Sequence, residues 1–209
     1  MSLCGLFLVF ISFFLVAFGQ PAWVPLLGII SSCCGFALFW HAIIQLTPRQ
    51  RFKYGTAWFT AVQLVQLSWL VMHPYLYIVP FYLLFAVGMG CQFGLLSMLI
   101  DNKRITRITG LLGLAGFWTL MEWIRLFALA GFSWNPVGLA LTSTIEGLQG
   151  ASLFGVFGLS FWVILTNLLA LSWASFYKLS ENQYSRASFR KWGTAWFLIA
   201  LAPYLYGAV

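Results

Sequence analysis

Acidic residues are nearly missing from this chain: Asp and Glu number four among 209 residues, against eleven Lys and Arg. Charged residues of both signs make up only 7%, whereas hydrophobic residues make up 62%. So little polar surface cannot cover a water-soluble core, which excludes a soluble globular fold. The net charge of +7 would point to nucleic acid if it formed one face of a soluble domain. These basic residues instead fall in short stretches between apolar runs, so no nucleic-acid partner is expected. Histidine is as scarce as acid. His41 and His73 stand far apart, and Cys4, Cys33, Cys34 and Cys91 are all embedded in apolar segments. Ligands so scattered make no metal site, and such thiols imply no disulfide framework. No cofactor is expected.

What the chain does contain is repeated apolar runs as long as a bilayer is thick, which takes about 20 helical residues. The expected fold is all-α, a polytopic membrane helix bundle, with the whole of 1–209 forming one transmembrane domain and no soluble domain. Seven spans are expected, at about 3–18, 23–46, 55–72, 75–100, 108–130, 148–177 and 192–205. Gly19-Gln20-Pro21, Thr47-Pro48 and His73-Pro74 supply the breaks, since proline disfavours helical geometry in the residue before it. Ala17-Phe18-Gly19 has the form of a signal-peptide cleavage site. Because no Lys or Arg precedes it and Pro21 follows, the first segment is read as a retained helix.

Lys and Arg occur in every second connection: Arg49, Arg51 and Lys53 after span two, Lys103, Arg104 and Arg107 after span four, and Lys178 to Lys191 after span six. Short basic loops stay in the cytoplasm, so this alternation places the N-terminus inside and the C-terminus outside. Trp23, Tyr54, Tyr75, Tyr77 and Trp192 near span ends read as interfacial belts.

Several signals are read as packing. Gly90 and Gly94 are spaced for close helix contact, as are Gly147, Ala151 and Gly155 in span six. Gln63, Gln66, Gln92 and Asn167 could line a polar path, but amides also join helices inside a bundle, and that reading is preferred. His41, sharing a face with Gln45, is read as a helix-end histidine.

The segment from Glu122 to Pro136 stands apart. A charge at the centre of a bilayer helix costs about 2.5 to 3.5 kcal/mol, so Glu122 and Arg125 are expected to have partners. Their spacing puts them on one helical face. Measured from Ile108 at about 1.5 Å per residue, they lie about 21 and 25 Å along the helix, in the outer leaflet. One reading is a self-neutralising pair reaching the outer surface. The other has Arg125 presenting its guanidinium to a lipid phosphate while Glu122 orients it.

Glu122-Trp123-x-Arg125, followed by Ala130-Gly131-Phe132-Ser133-Trp134-Asn135-Pro136-x-Gly138, resembles the signature in the membrane part of bacterial apolipoprotein N-acyltransferases. Ala17 to Trp23 resembles that family's first turn, Ser68-Trp69 its third helix, and Leu153 to Phe161 its sixth. The likeness covers essentially the whole chain. Two departures stand out: Ser133 occupies a place where the family usually has proline, and the family's periplasmic nitrilase-like domain would follow beyond Val209.

The resemblance implies a bacterial inner-membrane, multi-pass protein of lipoprotein maturation. In that scheme a thiolate takes an acyl chain from a phospholipid, and the amine of a diacylglyceryl lipoprotein then attacks the thioester. The implied partners are membrane phospholipid and diacylglyceryl lipoprotein, together with a separate nitrilase-like catalytic chain if the enzyme is split rather than truncated. The family's catalytic Glu, Lys and Cys reside in the nitrilase-like domain, so no catalytic residue is assigned here. No substitute set is apparent: Lys53, Lys103, Lys178 and Lys191 map to the inner side, Glu122 and Glu146 to the outer, and no cysteine has the electropositive setting of a nucleophile. This chain alone is expected to be inactive. Expected lipid-binding residues are Arg125 for the phosphate, Glu122 as its orienter, and Trp134, Asn135 and Pro136 shaping the outer mouth, with Trp134 as an ordinary interfacial aromatic left open. The alternative is a small transporter or channel using Glu122 as a proton or cation site, against which stand the lack of an internal repeat and of charge in any second span. A non-catalytic membrane subunit or decayed remnant also stays open.

Overall fold

The computed structural model of the chain describes residues 3–19, 23–127, 131, 133–177 and 183–208. Every regular element among them is helical: α1 (Leu3–Phe18), α2 (Pro25–Ile30), a π-helical turn (Ser31–Gly35), α3 (Phe36–Ile43), α4 (Pro48–Gln66), α5 (Ile78–Leu99), α6 (Asn102–Ile105), α7 (Ile108–Ile124), α8 (Ile145–Gln149), α9 (Ala151–Tyr177) and α10 (Gln183–Gly207). Short 3-10 segments occupy Ser68–Met72, Arg125–Phe127 and Val137–Ser143. Among the described residues three stretches are long and apolar enough to cross a bilayer, Pro25–Ile43, Ile78–Leu99 and Ala151–Phe176, and the apolar α1 is shorter. The described residues thus form an all-helical fold with segments suited by length and composition to span a membrane.

α4 packs along α5, α1 lies on α3, and α7 and α10 both pack on α9. Small residues make the α4–α5 approach possible: a Cβ on Gly90 would strike the Thr60 hydroxyl and the Thr56 carbonyl, and one on Gly94 would lie 2.8 Å from the Phe52 carbonyl. Behind this seam sits an aromatic core. Phe93 stacks on Trp40 at 5.4 Å and on Phe59 at 4.7 Å, and Phe39 stacks on Trp58 at 4.4 Å. Offset stacks of this kind add to the energy of area burial.

The second span is one apolar run that widens into a π turn at Ser31–Gly35. Wide turns displace backbone partners, and side chains from three other helices supply replacements here. Asn167 of α9 donates to the Ser31 and Ser32 carbonyls (3.2 and 2.8 Å) and accepts from the Phe36 and Ala37 amides (2.8 and 3.1 Å). Ser12 of α1 donates to Gly35 O at 2.6 Å, and Trp196 of α10 to Cys33 O at 3.0 Å. Asn167 is therefore a packing amide.

Thr47-Pro48, which ends the second span, also starts α4. Thr47 and Gln50 form a reciprocal capping box with proline at the first helical position, a strong initiation signal. Arg49, Arg51 and Lys53 consequently lie in a helix and not in a loop. Arg51 is only 6% exposed. Its guanidinium donates to Ile44 O (3.1 Å) and Met98 O (3.2 Å), closing the C-terminal ends of α3 and α5, where helices leave carbonyls unsatisfied. The basic stretch before span seven is also partly helical, because α10 begins at Gln183.

Span six needs a further correction. Gly147, Ala151 and Gly155 form no single packing ladder: Gly147 belongs to α8, Ala151 opens α9, and Gly155 has φ of 64° with nothing within 4 Å of a built Cβ. Gly155 supplies a kink through a backbone conformation that other residues adopt at a cost.

Candidate functional site

α7 keeps α geometry to Ile124 and then tightens into the 3-10 turn Arg125–Phe127. Glu122 and Arg125 therefore sit at the end of the helix, with the irregular segment 133–136 returning beside them. Ala128–Ala130 and Phe132, which belong to the expected signature, lie outside the described residues.

Glu122 is 1% exposed. Its Oε1 accepts from Trp118 Nε1 at 2.9 Å and from the Val137 backbone amide at 3.0 Å, Ser160 faces the same carboxylate, and Oε2 is buried without a hydrogen-bond partner among the described residues. Arg125 Nη2 lies 3.7 Å from Oε1, an ion pair longer than a good hydrogen bond, and its side chain keeps 14% of its surface open. The two donors on Oε1 and the nearby guanidinium offset part of the desolvation of this buried carboxylate. The acid thus anchors the loop as well as facing the guanidinium.

The loop itself is clamped by three helices. Asn135 has φ of 54°, a left-handed conformation that Asn tolerates better than most residues. In that conformation its Nδ2 reaches Gln63 Oε1 at 2.7 Å and Gln66 Oε1 at 2.6 Å on α4. Gln66 in turn donates to Val16 O at 2.7 Å, tying in α1. Pro136, buried, continues in extended geometry, after which Val137 meets Glu122. The Gly138 amide then donates to Ser160 Oγ at 3.0 Å. No larger residue fits at that position, since a Cβ would lie 2.6 Å from the Ser160 amide and 2.8 Å from Val156 O.

Trp134 points the other way. It is 43% exposed and rests between Trp69 at 5.5 Å and Phe85 at 5.8 Å, forming an aromatic lip at the end of α4, α5 and α7. Phe18 and Trp23 make a second aromatic contact at 5.6 Å. The structure accordingly brings Glu122 and Arg125, at the end of α7, beside the loop of Trp134, Asn135 and Pro136, but turns Asn135 and Pro136 inward and leaves Trp134 and part of Arg125 accessible.

Compared with known families, residues 22–169 match the apolipoprotein N-acyltransferase N-terminal domain. This chain belongs to that family. Among related proteins, the apolipoprotein N-acyltransferase of Chlamydia pneumoniae is 27% identical over 95% of this chain, and that of Chlamydia trachomatis serovar D is 25% identical over 95%. The Chlamydia muridarum protein of the same name is 30% identical over 76% of the chain. The chain spans 36% of the length of the first two relatives and 31% of the third.

For an N-acyltransferase N-terminal domain, the segments that carried the resemblance are far apart in sequence, and they converge here. Trp69 meets Trp134, and Ser160 accepts from Gly138 and faces Glu122; Val16 O, just ahead of the first such segment, meets Gln66 and through it Asn135. Sequence reasoning missed Trp118 and Ser160 as partners of Glu122, and assigned Gln63 and Gln66 only to general packing. Trp118 was detectable, because it lies four residues before Glu122 on the same face. Ser160 was not, since nothing local links it to residue 122.

Proposed function

We propose that this chain is the membrane part of an apolipoprotein N-acyltransferase, crossing the bacterial inner membrane seven times with its N-terminus in the cytoplasm and its C-terminus outside. It anchors the enzyme and admits phospholipid and diacylglyceryl lipoprotein laterally from the outer leaflet. Catalytic Glu, Lys and Cys are supplied by a nitrilase-like half outside residues 1–209. The observation that carries this reading is the meeting of three separated family-like segments, through Trp69, Ser160 and the stretch from Glu122 to Gly138, beside one buried Glu122 and one partly open Arg125.

In this reading Arg125 offers its planar guanidinium to a lipid phosphate, a geometry it suits better than lysine does. Glu122 holds Arg125 from behind while fixing the loop that carries Trp134. Trp134 and Trp69 form the lip against which an acyl chain or glyceryl group slides, with Asn135 and Pro136 setting its height. The transport reading is not adopted, because Oε1 of Glu122 already accepts from Trp118 and Val137 and the side chain is sealed from solvent at 1% exposure.

A chimera tests the proposal. Residues 1–209 replace the corresponding part of the Chlamydia pneumoniae relative, and acyl transfer from phosphatidylethanolamine to a diacylated lipopeptide is assayed in membranes. The chimera is expected to transfer acyl chains, and this chain by itself to give neither product nor trapped thioester. A folded, membrane-inserted chimera without activity would contradict the reading.

A further inference from the structure

At the end of the bundle opposite Glu122, the turn joining α5 to α7 encloses a groove of about 690 Å³. Its rim carries Lys103, Arg104 and Arg107. Its wall is Leu99 at the end of α5 with Gly113, Leu114 and Phe117 on α7. Asp101 is the acid among the lining residues, and Arg104 engages it twice: Asp101 Oδ1 accepts from the Arg104 amide at 2.8 Å, and Oδ2 pairs with Nη1 at 3.0 Å. Arg104 also donates to Leu99 O at 2.6 Å, pinning the turn to α5. With one acid spent on one arginine, Lys103 and Arg107 leave the rim with an excess of positive charge.

The turn is held firmly. Gly110 packs against the backbone of Arg104, 2.9 Å from its Cα for a built Cβ, so the start of α7 lies directly under the rim. Arg107 precedes α7 without a side-chain cap. Further along, Gly113 has nothing within 4 Å of its Cβ position, so this face of α7 is bare. From Thr109 to Phe117 the wall runs about 12 Å at about 1.5 Å per residue. A free phosphate would use only the rim. A ligand with an anionic head and an apolar tail uses the whole groove.

We propose that this groove binds an anionic diacyl phospholipid by its phosphate, with Lys103 and Arg107 as the charge contacts and the Gly113–Phe117 wall against the acyl chain. Basic pockets at the cytoplasmic ends of membrane helices suit such headgroups. The site is separate from Arg125, and its placement in the inner leaflet rests on the topology proposed above. It would hold a structural lipid of the inner leaflet rather than a substrate.

The test uses the purified full chain in phosphatidylcholine nanodiscs containing a small fraction of phosphatidylglycerol, with protein-bound lipid counted by native mass spectrometry after release. Wild type should enrich phosphatidylglycerol over phosphatidylcholine. The double variant Lys103→Gln/Arg107→Gln should lose roughly tenfold or more of that enrichment, given the usual contribution of each basic residue near a membrane surface. Gly113→Leu keeps every charge, suits a helix and fills the bare wall, and it should also lose the enrichment. Arg49→Gln, which removes an exposed cation outside the groove lining, should leave it intact, which separates the groove from diffuse surface charge. Inorganic phosphate at millimolar concentration should not displace the lipid. Full enrichment in Gly113→Leu would reduce the effect to diffuse surface charge and overturn the groove. Displacement by phosphate would overturn the lipid assignment. Helical circular dichroism of each variant confirms that the compared proteins are folded, and no enrichment in wild type would refute the proposal outright.

Discussion

The backbone amide of Val137 donates to the carboxylate of Glu122 at 3.0 Å, joining the loop after Pro136 to the last turn of α7. Through this contact a charge that looks functional in the sequence also becomes the attachment point of the segment beside it. Glu122→Ala should therefore unfold the site. It strips the acceptor from Trp118 Nε1 and Val137 N–H and leaves Arg125 facing an uncompensated pocket, a loss of the kind that costs about 3 to 5 kcal/mol. Glu122→Gln keeps one carbonyl acceptor and should cost clearly less. Thermal unfolding in detergent, followed by circular dichroism, should rank them wild type, Glu122→Gln, Glu122→Ala. Equal stability of Glu122→Ala and wild type would remove the acid from the fold's support.

Asn135 combines a left-handed backbone with two side-chain hydrogen bonds, and the two contributions can be separated. Asn135→Gly keeps the backbone at ease but leaves Gln63 and Gln66 without their donor, costing about 1 to 3 kcal/mol for the unsatisfied groups. Asn135→Ala loses the same bonds and adds about 1 kcal/mol or more of backbone strain. Alanine should therefore be the worse replacement in the same melting experiment, and the reverse order would mean that the positive φ is not what Asn135 is chosen for.

The class of fold was legible because composition and run length act on every residue at once. The Glu122–Arg125 pair was legible because charge is so rare in apolar surroundings. Arg51 was misread as a loop charge since its partners, Ile44 O and Met98 O, are backbone groups with no sequence signature, although the Thr47–Gln50 capping box did announce the helix that carries it. Gly155 was misread because small-residue spacing looks the same whether a glycine serves packing or a kink. Ser160 was invisible as a partner of Glu122, since only the tertiary fold brings α9 to α7.

The alternation of basic connections predicts a definite topology. Reporter fusions after Lys53, Arg107 and Arg190 should read cytoplasmic, and fusions after Met72, Thr142 and Val209 periplasmic. Arg51 gives an added check: being buried against two helix ends, its replacement by Met should lower stability without inverting the fusion pattern, whereas neutralising Lys103 and Arg107 together should weaken the cytoplasmic retention of that loop. A cytoplasmic reading at Val209 would be incompatible with an external catalytic half attached there.

The central claim is that Arg125 holds a lipid phosphate, and the most direct measurement is retention of phosphatidylethanolamine by the folded chain, with proton flux measured on the same proteins in liposomes. A charge-assisted contact of this type contributes about 1.5 to 3 kcal/mol, so Arg125→Leu should lower retention roughly tenfold or more. Arg125→Lys should keep part of it, having a point charge but no planar fork. Glu122→Gln should lose less than Arg125→Leu, and none of the proteins should carry proton current. Full lipid retention in Arg125→Leu, or a wild-type proton flux abolished by Glu122→Gln, would contradict the account.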